Sequence, residues 1–299
     1  MPKQRDERAN SLFAHLTDEA RSKLRKSKQP ARLSPMLATL TSRVFSDRNF
    51  IYERKLDGER CLAIRNTRGV RLLSRNRKRL NETYPEVVEA LEKQRAGQFV
   101  LDGEIVAFEG RATSFSRLQK RFGIKNPEEA RRSGIPVFYY VFDVLDMEGY
   151  DLTRLPLTQR KAILRQAVSF TRPLRFSAHR KGDAESFFKE ACRKGWEGLI
   201  AKRADSAYVP TRSANWLKFK CAKRQELVIG GYTDPQGPAR NSARSLWGST
   251  AAATCCMPAR WGRALTKRPC EAWQSAFPAS KRRGRPSRQT DCPRGVCIG

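Results

Sequence analysis

Long apolar runs are missing from this 299-residue sequence. No stretch of about 18 apolar residues occurs, so no membrane-spanning helix is expected. The first ten residues are charged and carry no apolar core segment, which argues against a secretory signal. Acids are scarce: 30 Asp and Glu stand against 60 Lys and Arg, a formal charge of +30. Such an excess points to a polyanionic partner, most often nucleic acid, rather than to a membrane. Only two histidines are present, and none lies near Cys292 or Cys297, so a zinc site there is not expected. Cys61, Cys192 and Cys221 lie in apolar-patterned segments and read as reduced core thiols of an intracellular protein.

The length suits about two domains at ~150 residues each. Residues 1–30 read as a charged, mobile leader with one helix around Asn10 to Ser27. Residues 31–47 read as an irregular lead-in. Tyr52-Glu53-Arg54-Lys55-Leu56-Asp57-Gly58-Glu59-Arg60 then reads as strand, tight turn, strand, because Asp-Gly is a hairpin signal. Period-two alternation puts Glu53, Lys55 and Asp57 on one face. A lysine on a rigid strand among charges suits covalent attack on phosphorus; a solvated hairpin tip is the alternative.

Further along, Arg75 ends a short strand, and Pro85 opens a helix over Tyr84 to Lys93. Gln98 to Phe108 reads as a strand broken at Asp102-Gly103, with Asp102 and Glu104 on a shared face as sugar- or metal-associated carboxylates. A short basic helix is expected over Ser114 to Phe122. Pro136 to Leu145 is the most apolar run and suits a buried strand, with Phe138, Tyr140 and Phe142 on one face. Leu157 to Ala167 and Ala184 to Lys194 read as amphipathic helices. In Trp216 to Cys221, Leu217, Phe219 and Cys221 face one way, and Lys218 and Lys220 the other. Two lysines on one strand face repel unless an anion lies between them.

Six of these segments, in order, resemble the ATP-dependent DNA ligases among the covalent nucleotidyltransferases, and in particular the ligase domain of bacterial multifunctional end-joining ligases. They are Lys55-Leu56-Asp57-Gly58-Glu59-Arg60, Ser74-Arg75-Asn76, Leu101-Asp102-Gly103-Glu104, Tyr140-Val141-Phe142-Asp143, Glu197-Gly198-Leu199-Ile200-Ala201-Lys202 and Leu217-Lys218-Phe219-Lys220. The resemblance implies an α+β fold: a nucleotidyltransferase domain over 31–224, ATP-grasp-like, with antiparallel sheets and flanking helices. It implies that Lys55 becomes AMP-lysine, that Glu104 binds ribose, and that Phe142 stacks on adenine with Glu53 nearby. It implies Arg60, Lys218 and Lys220 on the nucleotide, Glu197 on Mg²⁺ or Mn²⁺, and Arg75 on the 5′-phosphate of a nick. ATP is the implied cofactor rather than NAD, since no nicotinamide-recognition module is seen. Nicked or broken duplex DNA is the implied partner, with an end-binding protein beside it. A monomer in the bacterial cytoplasm, at the nucleoid, is expected.

The same resemblance implies an OB-fold domain next. Gln225 to Gln236 is similar to its first strand and turn, so 225–237 is read as an OB start. From Pro238 the pattern is lost. Residues 238–299 hold twelve Lys and Arg against Glu271 and Asp291, and five of the eight cysteines. They read as an irregular, disordered basic tail, and the abrupt shift fits a reading-frame change. Loss of the OB domain raises the alternative of a non-catalytic nick- or end-binding fragment. An RNA ligase or capping-type nucleotidyltransferase is the other alternative.

Overall fold

The computed structural model describes residues 11–14, 16–29 and 33–221, and the backbone of 228–233, 244–251, 254–257 and 266–267. The chain divides into two units, Met1–Cys221 and Ala222–Gly299. The first unit begins with α1 (Asp18–Lys23), β1 (Arg25–Lys26), β2 (Leu37–Leu40), β3 (Phe50–Lys55), β4 (Glu59–Asn66) and β5 (Gly69–Ser74). It continues through α2 (Pro85–Glu92), β6 (Phe99–Glu109), β7 (Ala112–Thr113), α3 (Phe115–Gln119), α4 (Pro127–Arg132), β8 (Val137–Met147) and β9 (Tyr150–Asp151). It ends with α5 (Leu157–Ala167), β10 (Leu174–Phe176), β11 (His179–Arg180), α6 (Ala184–Arg193), β12 (Gly198–Arg203) and β13 (Arg212–Lys220).

Two mixed sheets carry the unit. The larger runs β1-β9-β8-β6-β4-β5, with β10 on β8 and β7 on β6. The smaller runs β11-β3-β12-β13-β2. The α+β class holds, but the sheets are not purely antiparallel: β10 runs parallel to β8, and β2 to β13. The connection from β8 to β10 passes through α5, the length of chain a parallel return requires.

The continuous apolar run Cys61 to Ile64 has a simple cause. Alternate residues face opposite sides of the larger sheet, and both sides are covered. Cys61 and Ala63 join the cluster with Tyr84, Val87 and Leu91 of the α2 region. Leu62 and Ile64 join Val100, Phe142 and Trp216 between the sheets. The smaller sheet buries Leu199, Ala201 and Phe219 against Ala184, Phe187 and Ala191 of α6. Each such large apolar side chain contributes roughly 1.5–3 kcal/mol when buried.

Several expectations change. Asp57-Gly58 is not a hairpin tip. β3 pairs with β11 and β12, whereas β4 pairs with β5 and β6, so the chain passes from one sheet to the other just after Lys55. Asp102-Gly103 does not interrupt its strand either: β6 runs through, with an irregularity against β8 at that step. A Cβ on Gly103 would sit 2.5 Å from the Tyr139 ring and from the Tyr140 carbonyl, so glycine serves close packing there, not a turn. The leader is not free along its described part. Phe13, Leu16 and Ala20 are buried, and Gln29 Nε2 donates to the carbonyls of Arg65 and Phe99 at 2.9 Å. The lead-in contains β2. Cys192 and Cys221 are disulfide-bonded rather than reduced, because the end of α6 and the end of β13 bring their Cα atoms to 5.4 Å; Cys61 is free and buried.

The second unit holds β14 (Val228–Thr233), β15 (Arg244–Ala251), β16 (Thr254–Met257) and β17 (Thr266–Lys267) in one antiparallel sheet. Strands therefore continue past Pro238, where only irregular chain is expected from the sequence pattern. The remainder of residues 238–299 lies outside the described residues.

Candidate active site

Lys55 is the last residue of β3, opposite Gly198 on β12. A Cβ at position 198 would meet the Phe219 carbonyl at 1.9 Å, and the φ of +143° is itself one that side chains avoid, so only glycine permits this approach. The residue before it, Glu197, accepts a short bond from Lys55 Nζ on Oε2. Its Oε1 lies 3.4 Å from Lys220 Nζ. The Cys221 N–H donates to the Glu197 carbonyl at 3.0 Å, so the disulfide-tied end of β13 also fixes the segment carrying Glu197. Lys218 and Lys220 share a face of β13, as their alternation requires, and Trp216 precedes them on it. Partial burial, then the charges of Lys55 and Lys220, push the Lys218 ammonium below its ordinary range.

The cleft beside Lys55 is lined by Glu53, Arg60, Arg75, Glu104, Phe142 and Lys218, all anticipated from the sequence. Glu197 and Lys220 are not among the lining residues; Glu197 bonds Lys55, and Lys220 pairs with Glu197. Glu104 sits across β4–β6 from Arg60. Burial raises its carboxyl to about 7, against the pull of Arg60 and Lys55. Asp102 is not a second ligand-facing carboxylate. It is fully buried, accepts Arg60 Nε and Nη2 at 2.6 and 2.7 Å, and accepts the Tyr208 hydroxyl at 2.7 Å. Its role is to hold Arg60, whose guanidinium lies 4.5 Å from the Phe142 ring centre. Phe142 is buried edge-to-face on Trp216, with centres 5.9 Å apart. Arg75 is exposed at the end of β5.

Glu53 is 2% exposed. Lys161 Nζ donates to its Oε1 at 2.7 Å; Ser177 Oγ and Lys202 Nζ donate to Oε2 at 2.9 and 3.0 Å. Burial alone would raise this carboxyl, but the two ammonium groups outweigh it and hold it at about 2. Burial brings the Lys202 ammonium down to about 8.

Sequence reasoning missed Lys161, Lys202, Trp216 and Arg212, of which the last three line the cleft. A signal existed for Lys202, which falls on the same face of β12 as Ile200, and for Lys161, which falls on the core side of α5 with Leu157 and Leu164. Among the described residues no group of three or more His, Cys, Asp or Glu forms a metal cage. Glu197 and Glu104 are the carboxylates near Lys55.

The sequence of residues 35–220 matches the ATP dependent DNA ligase domain family. The chain is 38% identical over 227 residues to the multifunctional non-homologous end joining protein LigD of Pseudomonas aeruginosa, covering 75% of this chain and 26% of that one. It is 32% identical to the SPbeta prophage-derived DNA ligase-like protein LigB of Bacillus subtilis, covering 67% and 72%. The solved ligase domain of M. tuberculosis LigD superposes with a TM-score of 0.54 at 29% identity, over 79% of this chain and 70% of that one. A mycobacterial DNA ligase D complexed with ATP and MES gives 0.52 at 29% identity, over 76% and 71%. The chain thus spans about a quarter of the Pseudomonas relative. With the family match running from β2 to the end of β13, through every wall of the cleft, the chain belongs to the ATP-dependent DNA ligase domain family.

Proposed function

We propose that this chain is a DNA ligase domain that adenylates itself on Lys55 and seals nicks in duplex DNA. The observation that carries the reading is the placement of Lys55 where the chain leaves one sheet for the other. There it is bonded to Glu197, flanked by Lys218 and Lys220, and opens onto a cleft lined by Glu104 and Phe142.

ATP enters as substrate. Its adenine lies on Phe142 near Glu53, and its ribose hydroxyls meet Glu104. Lys55 Nζ, as the free amine after giving up a proton to solvent, attacks the α-phosphorus; the N–P bond forms and the bond to the pyrophosphate oxygen breaks. Lys218 and Lys220 offset charge on the α-phosphate oxygens, a stabilisation that grows as the reaction proceeds. Arg60 keeps the wall of the nucleotide cleft rigid through Asp102 while facing the nucleotide. A magnesium or manganese ion at Glu197, with Glu104 close by, would supply further charge neutralisation on the phosphates. The AMP group then moves to the 5′-phosphate of a nick, held by Arg75, and the 3′-hydroxyl displaces it. The charge of +30 supports a nucleic-acid partner, attracted largely through its phosphates. Duplex DNA is preferred to RNA as substrate because relatives are named DNA ligase or DNA ligase-like. β14 to β17 are assigned here to the beginning of an OB-type domain, and full turnover depends on how much of that domain the chain supplies.

Two reactions test this. The full chain is incubated with labelled ATP and Mg²⁺, and separately with a pre-adenylated nick. The expected result is a protein adduct lost in Lys55→Ala, with sealing of the pre-adenylated nick retained by that variant. An adduct of undiminished yield in Lys55→Ala contradicts the assignment. Tight nick binding with neither reaction favours the non-catalytic binding fragment.

A further inference from the structure

Lys161 projects from the core side of α5 and is 2% exposed. Its ammonium donates to Glu53 Oε1 at 2.7 Å, to the Ser177 carbonyl at 2.9 Å and to the Phe142 carbonyl at 3.4 Å. A lysine ammonium has three N–H donors, so all are used. One side chain thus ties β3, β8 and the residue after β10 together at the back of the cleft. The two residues it joins, Glu53 and Phe142, both line that cleft.

A carboxylate offers about four acceptor sites and no donor. In Glu53, Lys161 occupies one on Oε1, and Ser177 and Lys202 occupy those on Oε2. What remains is acceptor capacity alone. A 6-amino purine presents an N–H to such a group; a 6-oxo purine presents lone pairs and is repelled. A neutral glutamic acid would satisfy either, because its O–H can donate. Discrimination therefore needs Glu53 ionised and held still in a buried site, where an unpaired carboxylate is costly.

We propose that Lys161 is a positioning residue that holds Glu53 as an acceptor-only carboxylate beside Phe142 and so makes the cleft select 6-amino over 6-oxo purine nucleotides. The inference rests on the assignment of this cleft to the nucleotide.

The test compares ATP with ITP. Equilibrium binding of each to the full chain is measured without divalent metal, and the yield of Lys55 adduct is measured with it. Wild type is expected to favour ATP by ~100-fold or more, since sites built around one polar group reject the analogue lacking its partner strongly. Lys161→Met is expected to cut that ratio at least tenfold, mainly by raising the KM for ATP rather than lowering the rate at saturation. Lys161→Arg, which keeps the charge, retains most of it. Equal binding of ATP and ITP by wild type, or an equal loss for both nucleotides in Lys161→Met, overturns the proposal. If Lys161→Met does not fold, Lys161→Gln keeps a polar side chain at the same place but loses the charge that holds Glu53 ionised; an unchanged ATP to ITP ratio in that variant overturns it equally. Selective ATP binding with no Lys55 adduct would leave this inference standing and remove the catalytic reading instead. An adduct formed as readily from ITP would do the reverse.

Discussion

Gly58→Ala tests the crossing between the sheets. Gly58 is not among the glycines with positive φ, so no left-handed turn demands it. What demands it is space: a Cβ would lie 2.2 Å from the Ile105 carbonyl oxygen, 2.7 Å from Val106 Cγ1 and 3.1 Å from Glu104 Cγ. Tolerable carbon-to-oxygen contacts begin near ~3.3 Å, so the segment after Lys55 must withdraw from β6 by about 1 Å. Overpacking of this kind costs about 1–3 kcal/mol, or a melting-point fall of roughly 2–12 °C for a unit of this size. The larger effect is expected on chemistry. Lys55 and Glu104 sit on opposite sides of the strained contact, and misplacing a reacting group by about 1 Å costs ~100-fold in rate. The assay is single-turnover transfer of labelled AMP, with a thermal melt on the same sample. Gly97→Ala serves as control, because nothing lies within 4 Å of its added Cβ. Gly58→Asn adds discrimination: asparagine is at home in a tight Asp-Gly type hairpin, but here it clashes at least as badly as alanine. Wild-type adenylation rates in both Gly58 variants would refute the crossing as the reason for this glycine.

Glu53→Gln leaves Lys161 and Lys202 buried without their anion, at a cost of about 3–5 kcal/mol at neutral pH by thermal or urea unfolding. The pH dependence has a definite sign. With Glu53 held at about 2 against an ordinary 4.5, its stabilisation is fully present above pH 4.5 and is lost as pH falls toward 2. Glu53→Gln should therefore flatten the acid limb of a stability–pH curve; an unaltered limb would count against the pairing. Cys192→Ser opens a loop of sequence separation 29, which should lower stability by about 3.6 kcal/mol under non-reducing conditions and by nothing further under reductant. Equal melting of wild type and variant without reductant would speak against the bond. Arg75→Ala should weaken binding to a nicked duplex and reduce the slope of log affinity against log salt by about 1, while leaving the adduct yield from ATP unchanged. A selective loss of adduct would place Arg75 on the nucleotide instead.

Much of the cleft was legible because its residues sit at strand ends within short, well-patterned segments. Alternation alone put Lys218 and Lys220 on one face and Leu217 and Phe219 on the other, and they are so placed. Pro85 announced α2, and the apolar run ending at Leu145 announced β8. The crossing after Lys55 was not legible. Asp57-Gly58 has the chemistry of a tight turn, and which strand pairs with which is settled by distant segments such as β6 and β12. Lys161 and Lys202 were overlooked because a lysine usually marks the solvent side of an element; only the burial of Glu53 between them reverses that rule. Phe13, Leu16 and Ala20 do follow helical spacing, but the charges around them disguised a segment that packs on the core. The pairing of Cys192 with Cys221 depends on where α6 and β13 end in space, which spacing along the chain does not reveal.

The most direct measurement is peptide mapping by mass spectrometry after incubation of the full chain with ATP and Mg²⁺. The account predicts one AMP group, on Lys55, acid-labile and chased off by excess pyrophosphate. AMP on Lys218, Lys220 or another lysine, with Lys55 unmodified, would contradict it.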